Sequence, residues 1–180
     1  MTFSAPIPRH AVPDLALPLT GGTSWRLADE TAENFTLLVF YRGWHCPVCR
    51  SQLQELQNKL DQFDALGVSV VAISTDPKDR ADAMVAEYGF DRLRIAYDLT
   101  LQKAQVWGLF ISTSRGLTSI GVEESVRFNE PGHFLVRADG TLYFSSVQSM
   151  PFARPHLDDL LSGIRFVLDK DYPARGEVVD

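Results

Sequence analysis

The sequence predicts an α/β fold, a central mixed sheet with helices on both faces and a hairpin extension at the N-terminus. Three observations carry that expectation. Two continuous apolar runs, Thr36 to Tyr41 and Val68 to Ile73, read as strands buried on both faces. Between them Leu53, Leu56, Leu60 and Phe63 recur at helical spacing and Gly67 marks the stop, which makes a βαβ unit with parallel strands. Near the C-terminal end, Asp139-Gly140 divides two strand-like segments, and an amphipathic helix follows.

In chain order, Asp14 to Leu19 and Trp25 to Leu27 read as a hairpin turning at Gly21-Gly22. The first core strand, the long helix and the second core strand come next. Asp76-Pro77 supplies a cap and a first-turn proline for a helix to about Tyr88. Leu93 to Tyr97 is a short strand, and Leu99 to about Gly108 a further helix with Asp98 as its cap. Trp107 and Phe110 are core or loop anchors. The segment Phe110 to Gly132 has no strong period, and it reads as either a functional lid or a surface insertion. Phe134 to Val136 and Thr141 to Phe144 form the hairpin around Asp139-Gly140. A last helix from Pro155 carries Leu157, Leu160, Leu161, Ile164, Val167 and Leu168 on one stripe. The 180 residues suit one domain, with a core from about residue 12 to residue 168.

Composition excludes several classes. The apolar fraction of 45% and charged fraction of 22% are those of a globular chain rather than a disordered one. A net charge of −6 argues against nucleic-acid binding, which needs a basic surface. No run approaches the ~18 apolar residues of a membrane span. Prolines interrupt the N-terminal segment where a signal peptide needs an apolar stretch, so the cytoplasm is the expected compartment. A reducing compartment disfavours a static disulfide, yet the only two cysteines stand three residues apart.

Those cysteines carry the chemistry. The segment Phe40-Tyr41-Arg42-Gly43-Trp44-His45-Cys46-Pro47-Val48-Cys49-Arg50 joins the first core strand to the first long helix. Pro47 suits the first helical position, which makes Cys46 the N-cap. Its sulfur then faces unpaired backbone N–H groups and the positive end of the helix dipole, both favouring thiolate. Such placement lowers a cysteine pKa into the range of about 3.5–7.5. Cys49 lies about one turn on, within reach for a disulfide. His45 and Arg42 are expected to add positive potential, His45 being alternatively a solvated loop side chain. Trp44 flanks the site.

The strand, the Cys-Pro-Val-Cys run and the helix resemble the active site of the thioredoxin superfamily. The flanking residues, with Val12-Pro13-Asp14-Leu15-Ala16-Leu17-Pro18, are similar to the alkyl hydroperoxide reductase/thiol-specific antioxidant (peroxiredoxin-like) branch, over about Val12 to Leu168. The resemblance implies a thioredoxin-like fold and a thiol-dependent oxidoreductase. Two registers compete within it. The thioredoxin register makes Cys46 the nucleophile and Cys49 the resolving thiol; an ungapped peroxiredoxin register matches Cys49 to the peroxidatic position. Pro131 stands where thioredoxin-like reductases place a cis-proline and standard peroxiredoxins an arginine, for which Arg127 or Arg42 is the substitute. The expected substrate-site residues beside the cysteines are therefore Arg42, Trp44, His45, Pro47, Pro131 and Arg127.

The rival reading of the cysteine pair is a zinc site completed by His10, His45, His133 or His156, but no second cysteine pair exists to favour it. Haem attachment fails because Arg50 follows the second cysteine. The expected activity is hydroperoxide reduction through a Cys46/Cys49 dithiol–disulfide cycle. It needs no metal or organic cofactor and is recycled by an external dithiol such as a thioredoxin system. A protein disulfide reductase and a non-enzymatic redox sensor are the alternatives, and a homodimer is left open.

Overall fold

The computed structural model describes residues 5–179. The sheet is built around β3 (Phe35–Phe40), whose six residues are all buried. β4 (Val68–Ile73) lies parallel to it, Phe35 opposite Val68 and Phe40 opposite Ile73. β5 (Arg94–Ala96) continues that side in parallel. On the other side β8 (Gly132–Arg137) and β9 (Leu142–Val147) run antiparallel, giving the order β5-β4-β3-β8-β9. A five-stranded mixed sheet of thioredoxin-like type results. β1 (Ala16–Pro18) and β2 (Ser24–Arg26) form the N-terminal hairpin, Leu17 opposite Trp25, turning through Gly21 and Gly22 at φ of +92° and +91°. Only glycine adopts such angles cheaply.

The alternation of β3 decides what covers each face. Phe35, Leu37, Val39 and Tyr41 point to one side, where α1 (Pro47–Asn58), α2 (Leu60–Asp64), α3 (Lys78–Tyr88) and α5 (Leu157–Lys170) bury Leu53, Leu56, Phe63, Met84 and Leu161 against them. Leu38 and Phe40 point to the other, against the hairpin's Leu17 and Trp25 and against Trp107 beyond α4 (Leu101–Val106). Trp107 is fully buried, its ring 5.0 Å from Phe134 and 5.7 Å from Phe40. Among the described residues no helix is long and apolar enough to cross a membrane.

Several expectations need correction. The helix expected to run unbroken to Gly67 is interrupted at Lys59, where φ −105° and ψ 3° separate α1 from α2. Asp76 does not cap α3. Pro77 occupies the N-cap with no side-chain bond, because the Asp76 carboxylate is engaged elsewhere. Asp98 does not cap α4 either; it adopts φ +57°, and the Thr100 hydroxyl accepts from Lys103 N–H at 3.2 Å. The last helix begins at Leu157, two residues beyond Pro155, because His156 is extended. The aperiodic segment holds a small antiparallel pair, β6 (Ile111–Thr113) and β7 (Arg127–Asn129), too short to register as a period. Phe110, expected as an anchor, is half exposed.

Leu53 fastens α1 to the sheet and is fully buried. Leu53→Ala is expected to lower unfolding free energy by about 2–5 kcal/mol in a urea titration, the usual range for a cavity of that size.

Candidate active site

β3 ends at Phe40, and the chain turns through residues 41–46 into α1. Gly43 has φ +139°, and a Cβ there would stand 2.7 Å from Asp76 Oδ1, so only glycine fits the turn. The buried Asp76 carboxylate accepts from the Trp44 amide at 2.6 Å, from Arg80 Nε at 3.2 Å and from Ser125 Oγ at 3.3 Å. Burial pushes its pKa up against these donors. From the other side Arg50 Nε donates to the Trp44 carbonyl at 2.7 Å, and its guanidinium pairs with Glu87. Both the N–H and the carbonyl of Trp44 are thus held, which braces the loop where it enters α1. The Trp44 indole lies 5.6 Å from each of the Arg50 and Arg80 guanidinium centres and donates to Glu87.

Pro47 occupies the first turn of α1, with Cys46 as N-cap at φ −97° and ψ 107°. The Cys46 sulfur accepts from the Cys49 amide at 3.3 Å, where a serine or aspartate oxygen ordinarily sits. Both cysteines are free thiols, and both are buried. Arg42 donates its backbone N–H to Cys49 Sγ at 3.4 Å. Arg154, in the loop between β9 and α5, sets Nη2 at 3.0 Å from Cys49 Sγ and 3.7 Å from Cys46 Sγ. Its Nη1 donates to Gln52 Oε1 at 2.7 Å, and its Nε to the Pro151 carbonyl at 2.8 Å.

The two sulfurs therefore differ in kind. A hydrogen bond from the Cys49 thiol brings the Cys46 pKa down to about 6, aided by the Arg154 charge, the Cys49 amide and Arg42, and opposed by burial. Burial pushes the Cys49 thiol well up, as does its role as donor to Cys46. The pair is thus polarised, with the thiolate favoured at Cys46 and the thiol at Cys49.

The structure brings Cys46, Cys49, Arg42, Trp44 and Pro47 together, and it corrects three of the expected site residues. His45 adds no positive potential: it is fully buried with its ring 4.6 Å from Phe128, and burial with Arg42, Arg80 and Arg50 lowers its pKa to about 3. The bond before Pro131 is trans, as are all peptide bonds among the described residues. Glu130 N–H donates to the Phe110 carbonyl at 2.8 Å and the Pro131 carbonyl accepts from Gln148 N–H at 3.0 Å, so both sides of this bond are tied to neighbouring segments. Arg127 is exposed on β7 opposite Thr113, and no hydrogen bond or ion pair takes it to either sulfur. Arg42 directs its guanidinium to Glu124 at 3.4 Å and Glu130 at 3.1 Å, over the Phe128 ring. The segment between β6 and β7 is thereby tied to the cysteine loop, and Arg80 adds a bond to the Glu123 carbonyl. Among the described residues no three potential metal ligands gather.

Sequence reasoning missed Arg154, Asp76 and Gln52. Arg154 lies 105 residues from Cys49, and no local pattern connects them. Gln52 had a signal: three residues after Cys49, it shares that face of α1.

A reduced cysteine pair with one sulfur at a helix N-terminus, on a five-stranded thioredoxin-like sheet, defines a thiol-dependent oxidoreductase. The model of the AhpC/TSA family matches residues 8–145, and the chain belongs to that family. The peroxiredoxin-like resemblance read from the sequence is thus correct, and membership makes the chain an enzyme of thiol-dependent peroxide reduction. No curated protein matches in sequence. Solved structures that share the fold include the peroxidoxin BcpB of Mycobacterium tuberculosis, with TM-score 0.70 and 23% identity, covering 91% of this chain and 99% of that one. Enterococcus faecalis AhpC has TM-score 0.71 and 17% identity over 96% and 99% of the two chains. A cysteine-to-serine mutant of Xylella fastidiosa PrxQ has TM-score 0.70 and 19% identity over 92% and 98%. At these identities the likeness is one of fold.

A cysteine held near pKa 6 against an ordinary 9.0 links redox chemistry to stability. Folding favours the thiolate, so the stabilisation is full above pH 9, shrinks as the pH falls and is gone below about pH 6. The denaturation midpoint of the reduced protein is expected to rise from pH 6 to pH 9 relative to Cys46→Ser. Parallel curves for the two proteins would show that Cys46 is not a stabilised thiolate.

Proposed function

We propose that this chain reduces hydroperoxides with Cys46 as nucleophile and Cys49 as resolving thiol. The observation that carries the reading is the Cys46 sulfur at the N-cap, accepting from the Cys49 amide at 3.3 Å and from Arg154 Nη2 at 3.7 Å, with the guanidinium shared with Cys49 at 3.0 Å. Those donors stabilise the thiolate, and the thiolate is the reactive form.

Cys46 S⁻ attacks the terminal oxygen of a hydroperoxide, and the O–O bond breaks. The leaving alkoxide or hydroxide takes a proton and departs as alcohol or water, leaving Cys46 as a sulfenic acid. The Cys49 sulfur then attacks the Cys46 sulfur. The S–O bond breaks, water leaves with the thiol proton, and an intramolecular disulfide closes. An external dithiol restores both thiols by exchange through a mixed disulfide and is itself oxidised. The guanidinium of Arg154, within reach of both sulfurs, is placed to bind the developing negative oxygen. Both sulfurs are buried, so the site must open to admit a substrate.

A hydroperoxide fits this site better than a protein disulfide. The Pro131 carbonyl, which a docking peptide chain would use, is already bound to Gln148. The proposed reductant is a thioredoxin-type dithiol, consistent with a family whose members take reducing equivalents in this way.

Peroxide consumption coupled to a thioredoxin system and NADPH tests the reading. Turnover by the wild type is expected, with Cys46→Ser inactive to at least about 10³-fold, the scale on which loss of a nucleophile acts. Cys49→Ser is expected to give a single oxidation per chain and no turnover. Insulin reduction without peroxide turnover would make the chain a disulfide reductase instead. Disulfide formation with neither activity would make it a sensor.

A further inference from the structure

His133 is an anomaly in the sheet. It lies on β8 on the same side as Leu135, the side that packs against α1, where the pattern calls for an apolar residue. It is fully buried, and burial with the nearby Arg154 charge lowers its pKa to about 3, so the ring is neutral. Its Nε2 stands 2.9 Å from Gln52 Nε2, and its Nδ1 is buried without a partner.

The hydrogen-bond directions along this line are forced. A guanidinium has only donors, so the Gln52 atom facing Arg154 is the carbonyl oxygen. The amide nitrogen of Gln52 then faces His133 and donates to its Nε2. The imidazole proton must sit on Nδ1, where it meets no acceptor. An orphaned buried donor is destabilising, and a leucine here would avoid it. What the histidine supplies in return is an acceptor that fixes the amide of Gln52, with the oxygen aimed at Arg154.

We propose that His133 is a positioning residue, fixing the Arg154 guanidinium on the sulfurs of Cys46 and Cys49 through the Gln52 side chain. Arg154 Nε is anchored on the Pro151 carbonyl and Nη1 on Gln52, which leaves Nη2 for the sulfurs. Without the histidine the Gln52 amide keeps only Arg154 itself as the partner that orients it, so the oxygen is no longer anchored from behind. Arg154 is then held less firmly over the sulfurs, and the Cys46 thiolate loses part of the stabilisation that this cation gives. The inference rests on the reading of Cys46 as a thiolate, but not on a peroxide as the substrate.

The test is the pH midpoint of thiolate formation at Cys46, followed by ultraviolet absorbance of the reduced protein and by alkylation rate with iodoacetamide. His133→Leu and Gln52→Met are each expected to raise the midpoint in the direction of Arg154→Met, whose own effect is set at about 1–3 pH units by loss of an adjacent opposite charge. His133→Gln, which keeps an acceptor near the place of Nε2, is expected to restore the wild-type midpoint. Combined with Arg154→Met, His133→Leu is expected to add nothing, because the two act through one contact. An unchanged midpoint in both His133→Leu and Gln52→Met overturns the relay, as does an equal rise in the presence and absence of Arg154. A wild-type midpoint near 9.0 overturns both the relay and the thiolate reading.

Discussion

The site depends on where α1 is allowed to begin. Pro47 has no N–H to give and a backbone angle already suited to the first turn, so the helix starts there and Cys46 becomes the N-cap. A sulfur then occupies the position from which a side-chain oxygen ordinarily accepts the N3 amide, and that amide belongs to Cys49. One residue thus contributes both its backbone N–H and its thiol proton to the sulfur it is to join. The chemical inequality of the two cysteines follows from this spacing before any other side chain is considered.

The rest of the structure keeps that arrangement in register. Asp76 and Arg50 hold the two peptide groups of Trp44, and Gly43 provides the only backbone that lets the Asp76 carboxylate come so close. The acidic side chains around the loop, Asp76, Glu124 and Glu130, are paired to Arg80 and Arg42, so their negative charge is offset beside the sulfur pair. Among the described residues Arg154 has no such carboxylate partner; its donors go to a carbonyl, an amide oxygen and the two sulfurs. Its guanidinium, partly buried over two buried sulfurs, acts on a thiolate more strongly than it would in bulk water.

Local patterns carried most of the fold. The βαβ unit, the Gly-Gly hairpin and the Asp-Gly hairpin were all readable because period, length and turn chemistry agreed in each. Where one residue served two masters the reading failed. Asp76 looks like a helix cap beside Pro77, but its carboxylate is drawn into the core by the Trp44 amide and Arg80. Pro131 looked like a cis-proline only through the family resemblance, and the bond before it is trans. His45 seemed a source of charge by its place in the sequence, and burial among three arginines makes it neutral. Arg154 was illegible because its meaning lies wholly in a tertiary contact. The cysteine pair was legible because its chemistry is encoded within a single helical turn.

The central claim is that the first oxidation falls on Cys46. Mass spectrometry of the two single variants, after one equivalent of peroxide in the presence of the sulfenic-acid trap dimedone, examines it directly. In Cys49→Ser, where the resolving thiol is gone, the adduct should accumulate on Cys46, and Cys46→Ser should take up little or none. An adduct on Cys49 in Cys46→Ser, with Cys46 untouched in Cys49→Ser, would contradict the account and make the peroxiredoxin register the correct one.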